Sequence, residues 1–153
     1  MIHVAVIGYG YWGPNLIRNF LETEDARMAV CCDLDERRLA LVEAKHPRVA
    51  LTADYNEVLK DPAIDAVVIA TPVATHYAFA RKALEHGKHV LVEKPMTASV
   101  AEAESLIEIA AKRNLTLMVD HTFIYTGAVR KMKELINRGD LGALYYFDSV
   151  RIN

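Results

Sequence analysis

Short apolar runs alternate along this chain with longer stretches in which apolar residues recur at helical spacing. The runs 67–69 and 90–92 are apolar on both faces, which is typical of parallel strands covered by helices on both sides. The pattern predicts strands at 2–7, 28–33, 49–52, 66–70, 89–92 and 116–120, and helices at 14–23, 35–45, 55–60, 75–86, 99–113 and 127–138. Strict alternation of this kind predicts an α/β fold with a doubly wound, mostly parallel sheet and helices on both faces.

The last part of the chain departs from this alternation. Residues 139–142, with the sequence GDLG, predict a turn, and residues 143–152 then form one long run rich in Tyr, Phe, Val and Ile. Such a run predicts a strand. Because no later segment of the chain is left to pair with this strand, we expect one of three outcomes: self-association into a homo-oligomer, folding back onto the sheet, or disorder.

A glycine-rich turn lies between the first predicted strand and the first predicted helix. Gly8, Gly10 and Gly13 form the pattern G-x-G-x-x-G, which in this context favours dinucleotide binding and a fold of the Rossmann type. The first glycine makes a tight turn, the second lets the backbone approach a pyrophosphate, and the third lets the helix pack closely. The helix N-terminus offers free N–H groups to phosphates. Tyr11 and Trp12 can stack on the cofactor or pack under the helix, and three glycines can also be only a turn.

An acidic residue follows the second predicted strand. Asp33 lies twenty residues after Gly13, the offset expected for a carboxylate that accepts hydrogen bonds from the adenosine ribose. A carboxylate repels a 2′-phosphate, so the sequence favours NAD over NADP. Arg37 and Arg38 keep NADP open, since a nearby arginine can hold that phosphate. The alternative is that Asp33 only caps the helix that begins near Asp35.

Composition and charge narrow the class of protein. The chain has 153 residues, 52% hydrophobic and 25% charged, with a net charge of −2. These values suit one globular domain and favour neither a nucleic acid nor a membrane as partner. Cys31 and Cys32 are adjacent in a predicted strand and point to opposite faces, so we expect no bond between them. They suit small buried hydrophobic residues in a reducing compartment. Since the N-terminus enters a strand directly, we expect no signal peptide and a cytoplasmic protein. The scattered histidines predict no metal site.

Three further loops are expected at the same edge of the sheet as the glycine turn. They follow the fourth, fifth and sixth predicted strands, at residues 70–76, 93–95 and 120–122. Ligands of doubly wound sheets bind outside the carboxyl ends of the strands, so these loops should face one crevice.

Four features occur in the order and spacing of one known family. They are the glycine turn, Asp33, the pair Thr71-Pro72 followed by His76, and the triplet Glu93-Lys94-Pro95. Over its whole length the chain resembles the N-terminal half of the glucose–fructose oxidoreductase / inositol dehydrogenase / MocA (Gfo/Idh/MocA) family. The resemblance implies an NAD-dependent oxidoreductase that transfers hydride between nicotinamide and a sugar-like hydroxyl. A nucleotide sugar is the narrower expectation.

The resemblance also implies a catalytic role for Lys94. This residue would contact the hydroxyl that loses hydride and help to move its proton, because an ammonium group stabilises a developing alkoxide. Glu93 would lie beside the nicotinamide ribose and orient Lys94, and a cis bond would join Lys94 to Pro95. The alternatives are a solvated surface lysine and a simple ion pair between Glu93 and Lys94.

The remaining implied contacts are less specific. Thr71, Pro72 and His76 would line the cofactor, and His121 would lie near the nicotinamide or the substrate. His76 is equally compatible with a helix cap, and His121 with a structural histidine at the end of the sheet.

The family's second half has no counterpart in this sequence. That half carries substrate contacts and a catalytic histidine in an Asp-x-x-x-His motif, and no aspartate here has a histidine four positions later. The resemblance divides the chain into a dinucleotide-binding domain, 1–142, and residues 143–153, the first strand of an absent α+β domain for substrate binding and oligomerisation. We expect NAD binding with little turnover. The alternatives are a stand-alone, non-catalytic dinucleotide-binding module (a sensor or an engineered minimal domain) and a structural subunit without its ligand.

Overall fold

The computed structural model describes residues 1–150. They form two compact units, Met1–Asp120 and a second unit that begins at His121. The first unit contains the strands β1 (Ile2–Ile7), β2 (Ala26–Cys32), β3 (Ala50–Thr52), β4 (Ala66–Ile69), β5 (His89–Val92) and β6 (Leu117–Val119). Its helices are α1 (Gly13–Glu22), α2 (Glu36–Lys45), α3 (Tyr55–Lys60), α4 (Val73–Glu85) and α5 (Val100–Arg113).

The six strands form a single parallel sheet in the order β3-β2-β1-β4-β5-β6. This is the order of doubly wound dinucleotide-binding sheets, and it reverses at the centre, between β1 and β4. The predicted Rossmann-type α/β fold is therefore confirmed. The reversal matters because the two connections that leave the sheet there run to opposite faces and open a crevice between them.

Helices cover both faces of the sheet. Along β1, Ala5 and Ile7 enter one hydrophobic core, whereas Val4 and Val6 enter the other. Successive residues of a strand point to opposite faces, so the two cores lie on opposite sides. The first core is closed by buried residues of α3, α4 and α5, and the second by buried residues of α1 and α2: Val58, Leu84 and Leu106 on one side, Ile17 and Val42 on the other.

Side-chain caps set where two of the helices begin. The Asp35 carboxylate accepts a hydrogen bond from the Arg37 backbone N–H at 3.0 Å and starts α2. The Ser99 hydroxyl accepts one from the Glu102 backbone N–H at 3.3 Å and starts α5, as the capping-box pattern indicates. The first of these caps fixes the helix start close to the carboxyl end of β2, beside the central crevice.

The second unit contains a short 3₁₀ helix, Thr122–Tyr125, and the helix α6, Gly127–Asn137. The prediction of a strand at 143–152 is wrong for residues 143–150, which have no regular secondary structure. The rest of that segment lies outside the described residues. An extended segment becomes a strand only through hydrogen bonds to a neighbour, and none of the described residues pairs with it. The domain boundary after residue 142 stays a prediction.

Within residues 1–150, no helix combines the length and the apolar character that crossing a membrane requires.

Candidate functional site

The loops that follow the strands are aligned by hydrogen bonds that continue the sheet beyond its last paired residues. The N–H of Gly8 donates to Cys32 O at 2.8 Å, that of Ala70 to Ile7 O at 2.8 Å, and that of Glu93 to Ile69 O at 2.9 Å. These loops border a cavity of about 930 Å³, whose lining residues all belong to the first unit. The cavity therefore lies at the reversal of strand order, where ligands of such sheets bind.

The three glycines of the turn differ in what an added side chain would meet. Gly8 has φ +98°, and a Cβ there would lie 2.7 Å from Ala70 O. A Cβ on Gly13 would lie 2.6 Å from Gly8 O, so this glycine lets α1 pack against the turn itself. A Cβ on Gly10 would meet nothing within 4 Å. Since Gly10 lines the cavity, its missing side chain leaves space that the fold does not use.

The aromatic residues of the turn divide between the core and the cavity. Tyr11, 86% exposed, and Trp12 both line the cavity, with ring centroids 5.3 Å apart in an edge-on arrangement. The aromatic residue that packs under the helix is Tyr9, which is buried beside Gly13. The sequence did not single it out, although its place between two glycines of the motif is visible there.

Asp33 ties the glycine turn to the segment before α2. Its buried carboxylate accepts hydrogen bonds from Tyr9 N at 2.7 Å and from Asp35 N at 2.9 Å. The side chain that caps α2 is that of Asp35, so Asp33 is not the cap. A carboxylate has about four lone-pair sites, and the two backbone bonds leave capacity for ribose hydroxyls. Asp33 also lines the cavity.

The two arginines after Asp33 are placed differently. Arg38 lines the cavity, and its Nη1 lies 3.4 Å from an Asp33 carboxylate oxygen. Arg37 pairs with Asp35, and its side chain is 92% exposed. Of the two, only Arg38 is in a position to meet a ligand.

His76 joins two of the cavity's loops. It is 2% exposed, its Nδ1 lies 2.8 Å from Pro95 O, and its Nε2 lies 2.8 Å from Thr71 O. Both partners are acceptors, so a neutral ring donates to one of them and an imidazolium to both. The ring borders the cavity, but its nitrogens are taken up by the backbone, and it is not the N-cap of α4, which is Pro72.

The loop after β5 contributes an exposed ammonium and a buried carboxyl group. The Lys94–Pro95 peptide bond is cis. The Glu93 carboxylate accepts a hydrogen bond from the Lys94 backbone N–H at 3.2 Å, and both side chains line the cavity. In residues 1–150 the Lys94 ammonium makes no ion pair, so Glu93 is not its salt-bridge partner here.

The Glu93 carboxyl group is electrostatically unusual. Burial is the main cause that raises its pKa, and the negative charge of Asp120 raises it further. Hydrogen bonding from the Lys94 backbone and the Lys94 charge act in the opposite direction. Protonation of Glu93 therefore persists to higher pH than that of an ordinary glutamate.

Several cavity residues were missed by the sequence analysis. Residues 53–56 line it because they follow β3 at the same sheet edge, a signal that strand order alone provides. Phe79 and Lys82 lie on α4, and only the packing of that helix brings them to the cavity. Tyr55 anchors this side, since its hydroxyl donates to Phe79 O at 2.9 Å.

The predicted His121 begins the second unit and precedes the 3₁₀ helix. Its role at the site stays a prediction. Among the described residues no group of three or more His, Cys, Asp or Glu side chains is arranged to hold a metal ion.

Comparison with known proteins extends these findings. Residues 2–121 match the family model GFO_IDH_MocA, described as an oxidoreductase family with an NAD-binding Rossmann fold. The uncharacterized oxidoreductase YdgJ of Escherichia coli is 35% identical over 97% of this chain and 42% of its own length. The scyllo-inositol 2-dehydrogenase (NADP(+)) IolW of Bacillus subtilis is 31% identical over 92% of this chain and 38% of its own length.

Solved structures agree with the sequence comparison. A putative oxidoreductase from Klebsiella pneumoniae superimposes with a TM-score of 0.80 at 34% identity, covering 93% of this chain and 41% of that one. The chain thus spans about two fifths of the length of the relatives it matches. It belongs to the Gfo/Idh/MocA oxidoreductase family, of which it comprises the NAD(P)-binding Rossmann domain.

Proposed function

We propose that this chain is the cofactor domain of an NAD-dependent dehydrogenase that oxidises a hydroxyl group of a sugar-like polyol. One observation carries the proposal: a single cavity is bordered by the open backbone at Gly10, the carboxylate of Asp33 and the ammonium of Lys94. These groups suit, in turn, a pyrophosphate, a ribose and a reacting hydroxyl.

The residues around the glycine turn fit a dinucleotide. The space beside Gly10 admits a pyrophosphate close to the backbone, and α1 begins three residues later with no acidic side chain in its first turn. A helix N-terminus without nearby carboxylates attracts phosphate through its free N–H groups and its dipole. Asp33 would hold the adenosine ribose with the lone-pair capacity that remains beside its hydrogen bonds from Tyr9 N, Asp35 N and Arg38 Nη1.

The buried carboxylate of Asp33 supports NAD as the preferred cofactor. A 2′-phosphate beside it would place two anions together in a partly enclosed site, which is unfavourable. Arg38 opposes this preference, because its guanidinium lies at the same carboxylate and lines the cavity. IolW carries NADP(+) in its name, so NADP is also used among relatives. We assign NAD here because the Asp33 carboxylate itself faces the cavity.

Lys94 would act on the substrate hydroxyl. When bound, NAD+ supplies the acceptor for the hydride that leaves the substrate carbon. The Lys94 ammonium lies at the cavity free of any carboxylate partner in the described residues, so it is available to donate a hydrogen bond to the substrate oxygen. Glu93 holds the backbone of Lys94 through its hydrogen bond, and His76 holds the next carbonyl, so the loop is fixed before the substrate binds.

The chain by itself should bind the cofactor without efficient turnover. All residues that line the cavity come from the first unit, which supports cofactor binding by this chain alone. Substrate positioning and a partner acid–base group would come from the further length that the relatives possess. General acid–base groups contribute about 10²–10⁴-fold to rate, and positioning contributes more. The same observation favours the second candidate, a non-catalytic dinucleotide-binding module.

The fluorescence of Trp12 offers a direct test. It is the only tryptophan in the chain and it lines the cavity. On titration with NADH we expect quenching of Trp12 emission together with sensitised emission from the nicotinamide. Adding scyllo-inositol and NAD+ should give little or no NADH. Unchanged Trp12 emission up to millimolar NADH would contradict cofactor binding. Rapid NADH formation would contradict the proposal that turnover depends on the further length that the relatives possess.

A further inference from the structure

The residues that immediately follow β5 and β6 are both acidic. Val92 and Val119 are register partners at the ends of these parallel strands, so Glu93 and Asp120 are the next pair along. The Asp120 backbone N–H donates to Val92 O at 2.9 Å, and that of Glu93 to Ile69 O at 2.9 Å. Register partners on neighbouring strands lie about 4.8 Å apart with side chains on the same face. The sheet itself therefore brings two carboxyl groups together.

The two side chains are close enough to interact, because the negative charge of Asp120 raises the pKa of Glu93. An ionised carboxylate only accepts hydrogen bonds, so a bond between two carboxyl groups requires that one of them carries a proton. Glu93 is 7% exposed, and burial disfavours its charged form. Two adjacent carboxylates of which one is buried commonly retain a single proton for this reason.

We propose that Glu93 and Asp120 share one proton and act as a single acid group behind Lys94, with Asp120 as a positioning residue. Glu93 lines the cavity, whereas Asp120 does not. Asp120 therefore acts on the cavity through Glu93. With the proton in place, the pair contributes one negative charge to this end of the cavity; without it, the pair contributes two.

The other charged groups at this position are few among the described residues. Lys94 follows Glu93 directly and favours its ionised form, while Asp120 on β6 disfavours it. From α4, His76 faces the same loop through the Pro95 carbonyl. The shared proton thus sits between one carboxyl neighbour and one ammonium neighbour, and the burial of Glu93 decides in favour of retaining it.

The charge of the Glu93–Asp120 pair affects whether the oxidised or the reduced cofactor binds more tightly. This step rests on the proposed function, in which the nicotinamide lies at the Lys94 end of the cavity. The oxidised nicotinamide ring is positively charged and the reduced ring is neutral. Loss of the shared proton adds a negative charge, so it favours binding of NAD+ over NADH.

Carbon-13 NMR titration of carboxyl groups tests the shared proton in the chain without cofactor. We expect the Glu93 carboxyl to titrate above the range of an ordinary glutamate. In Asp120→Asn the amide brings no charge, so the Glu93 midpoint should fall. Asp25→Asn, which changes an exposed aspartate remote in sequence from the loop, should leave the midpoint in place. An equal midpoint in the wild type and Asp120→Asn would overturn the proposal.

A second variant keeps the proposal testable if Asp120→Asn does not fold. In Asp120→Ala the neighbouring carboxyl group is removed, and the Glu93 midpoint should again fall. A Glu93 midpoint equal to that of the wild type would overturn the proposal.

Cofactor titrations over the same pH range test the redox consequence. The ratio of NAD+ to NADH affinity should rise with pH in the wild type, and in Asp120→Asn the rise should occur at lower pH, because Glu93 then titrates lower. A flat ratio in the wild type would overturn the link to redox state. Absence of binding by either cofactor would count against the proposed function, while the NMR result would still decide whether the proton is shared.

Discussion

Nδ1 of His76 lies 2.8 Å from the carbonyl oxygen of Pro95, and through this contact α4 holds the loop that carries Lys94. The other ring nitrogen lies 2.8 Å from Thr71 O, so one buried side chain joins the loop that follows β4 to the loop that follows β5. The relationship explains how an exposed lysine in a loop can keep a fixed position. Its backbone neighbours are held by the protein interior, and only the side chain reaches into the cavity.

Replacing His76 should therefore cost stability. His76→Ala removes two hydrogen bonds to partly buried carbonyl oxygens and leaves a cavity, for an expected loss of about 2–4 kcal/mol in the free energy of unfolding. His86→Ala is the matched control, because His86 is the C-cap residue of the same helix, is exposed, and its Nδ1 lies 2.8 Å from Lys82 O. That control should cost about 1 kcal/mol or less. Urea denaturation measures both, and equal losses would show that the bridge contributes nothing.

Substitution by alanine should have different effects at two glycines of the turn. Gly8→Ala places a Cβ at positive φ and 2.7 Å from a backbone oxygen, so we expect a loss of about 2 kcal/mol or more. Gly10→Ala meets nothing in the protein and should change stability by less than about 0.5 kcal/mol. It should nevertheless weaken NADH binding, because the added methyl group occupies the space beside the backbone. Thermal denaturation and Trp12 quenching separate the two effects, and full NADH affinity in Gly10→Ala would be evidence against a pyrophosphate there.

Arg38 should control the residual affinity for NADP+. Arg38→Ala removes the guanidinium that lines the cavity, so NADP+ should bind less tightly while NAD+ affinity changes little. Arg37→Ala is the control, since that side chain is 92% exposed and paired with Asp35. Competition titrations against NADH give both affinities. A comparable loss of NADP+ binding in the two variants would mean that general charge, and not the position of Arg38, sets the affinity.

The raised pKa of Glu93 predicts a pH dependence of stability. Burial and Asp120 raise the pKa in the folded state above that in the unfolded chain. The resulting stabilisation is complete below the ordinary glutamate pKa and is lost as pH rises through the folded-state value. Glu93→Gln carries no titrating proton, so the fall in stability over this window should be smaller in the variant. Urea midpoints measured from pH 4 to pH 9 give the comparison, and parallel curves would contradict it.

Much of the fold could be predicted from the sequence because periodicity reports burial directly. All six predicted strands of the first unit appear within about two residues of their expected ends. Short runs that are apolar on both faces are stable as parallel strands covered by helices on both sides. The strand expected at 143–152 did not form over residues 143–150 for the opposite reason. A strand depends on a partner that the local pattern does not specify.

Some residues of the functional site could likewise be predicted from the sequence, and others could not. Gly8, Gly10 and Asp33 lie at fixed offsets from strand ends, so sequence spacing was sufficient to propose them together, whereas the role of Lys94 came from the family resemblance. The bridge made by His76 depends on two carbonyl groups nineteen and five residues away. Every residue has a backbone carbonyl, so the sequence does not show which ones a side chain contacts. The pairing of Glu93 with Asp120 likewise needs the neighbouring positions of β5 and β6, which strand order alone reveals.

Calorimetric titration with NAD+ and with NADP+ tests the central claim most directly, on the wild-type chain, Asp33→Asn and the control Asp25→Asn. We predict that the wild type and the control bind NAD+ more tightly than NADP+, and that Asp33→Asn weakens NAD+ binding and narrows the difference between the cofactors. Unaltered NAD+ affinity in Asp33→Asn, or no binding of either cofactor by the wild-type chain, would contradict the account.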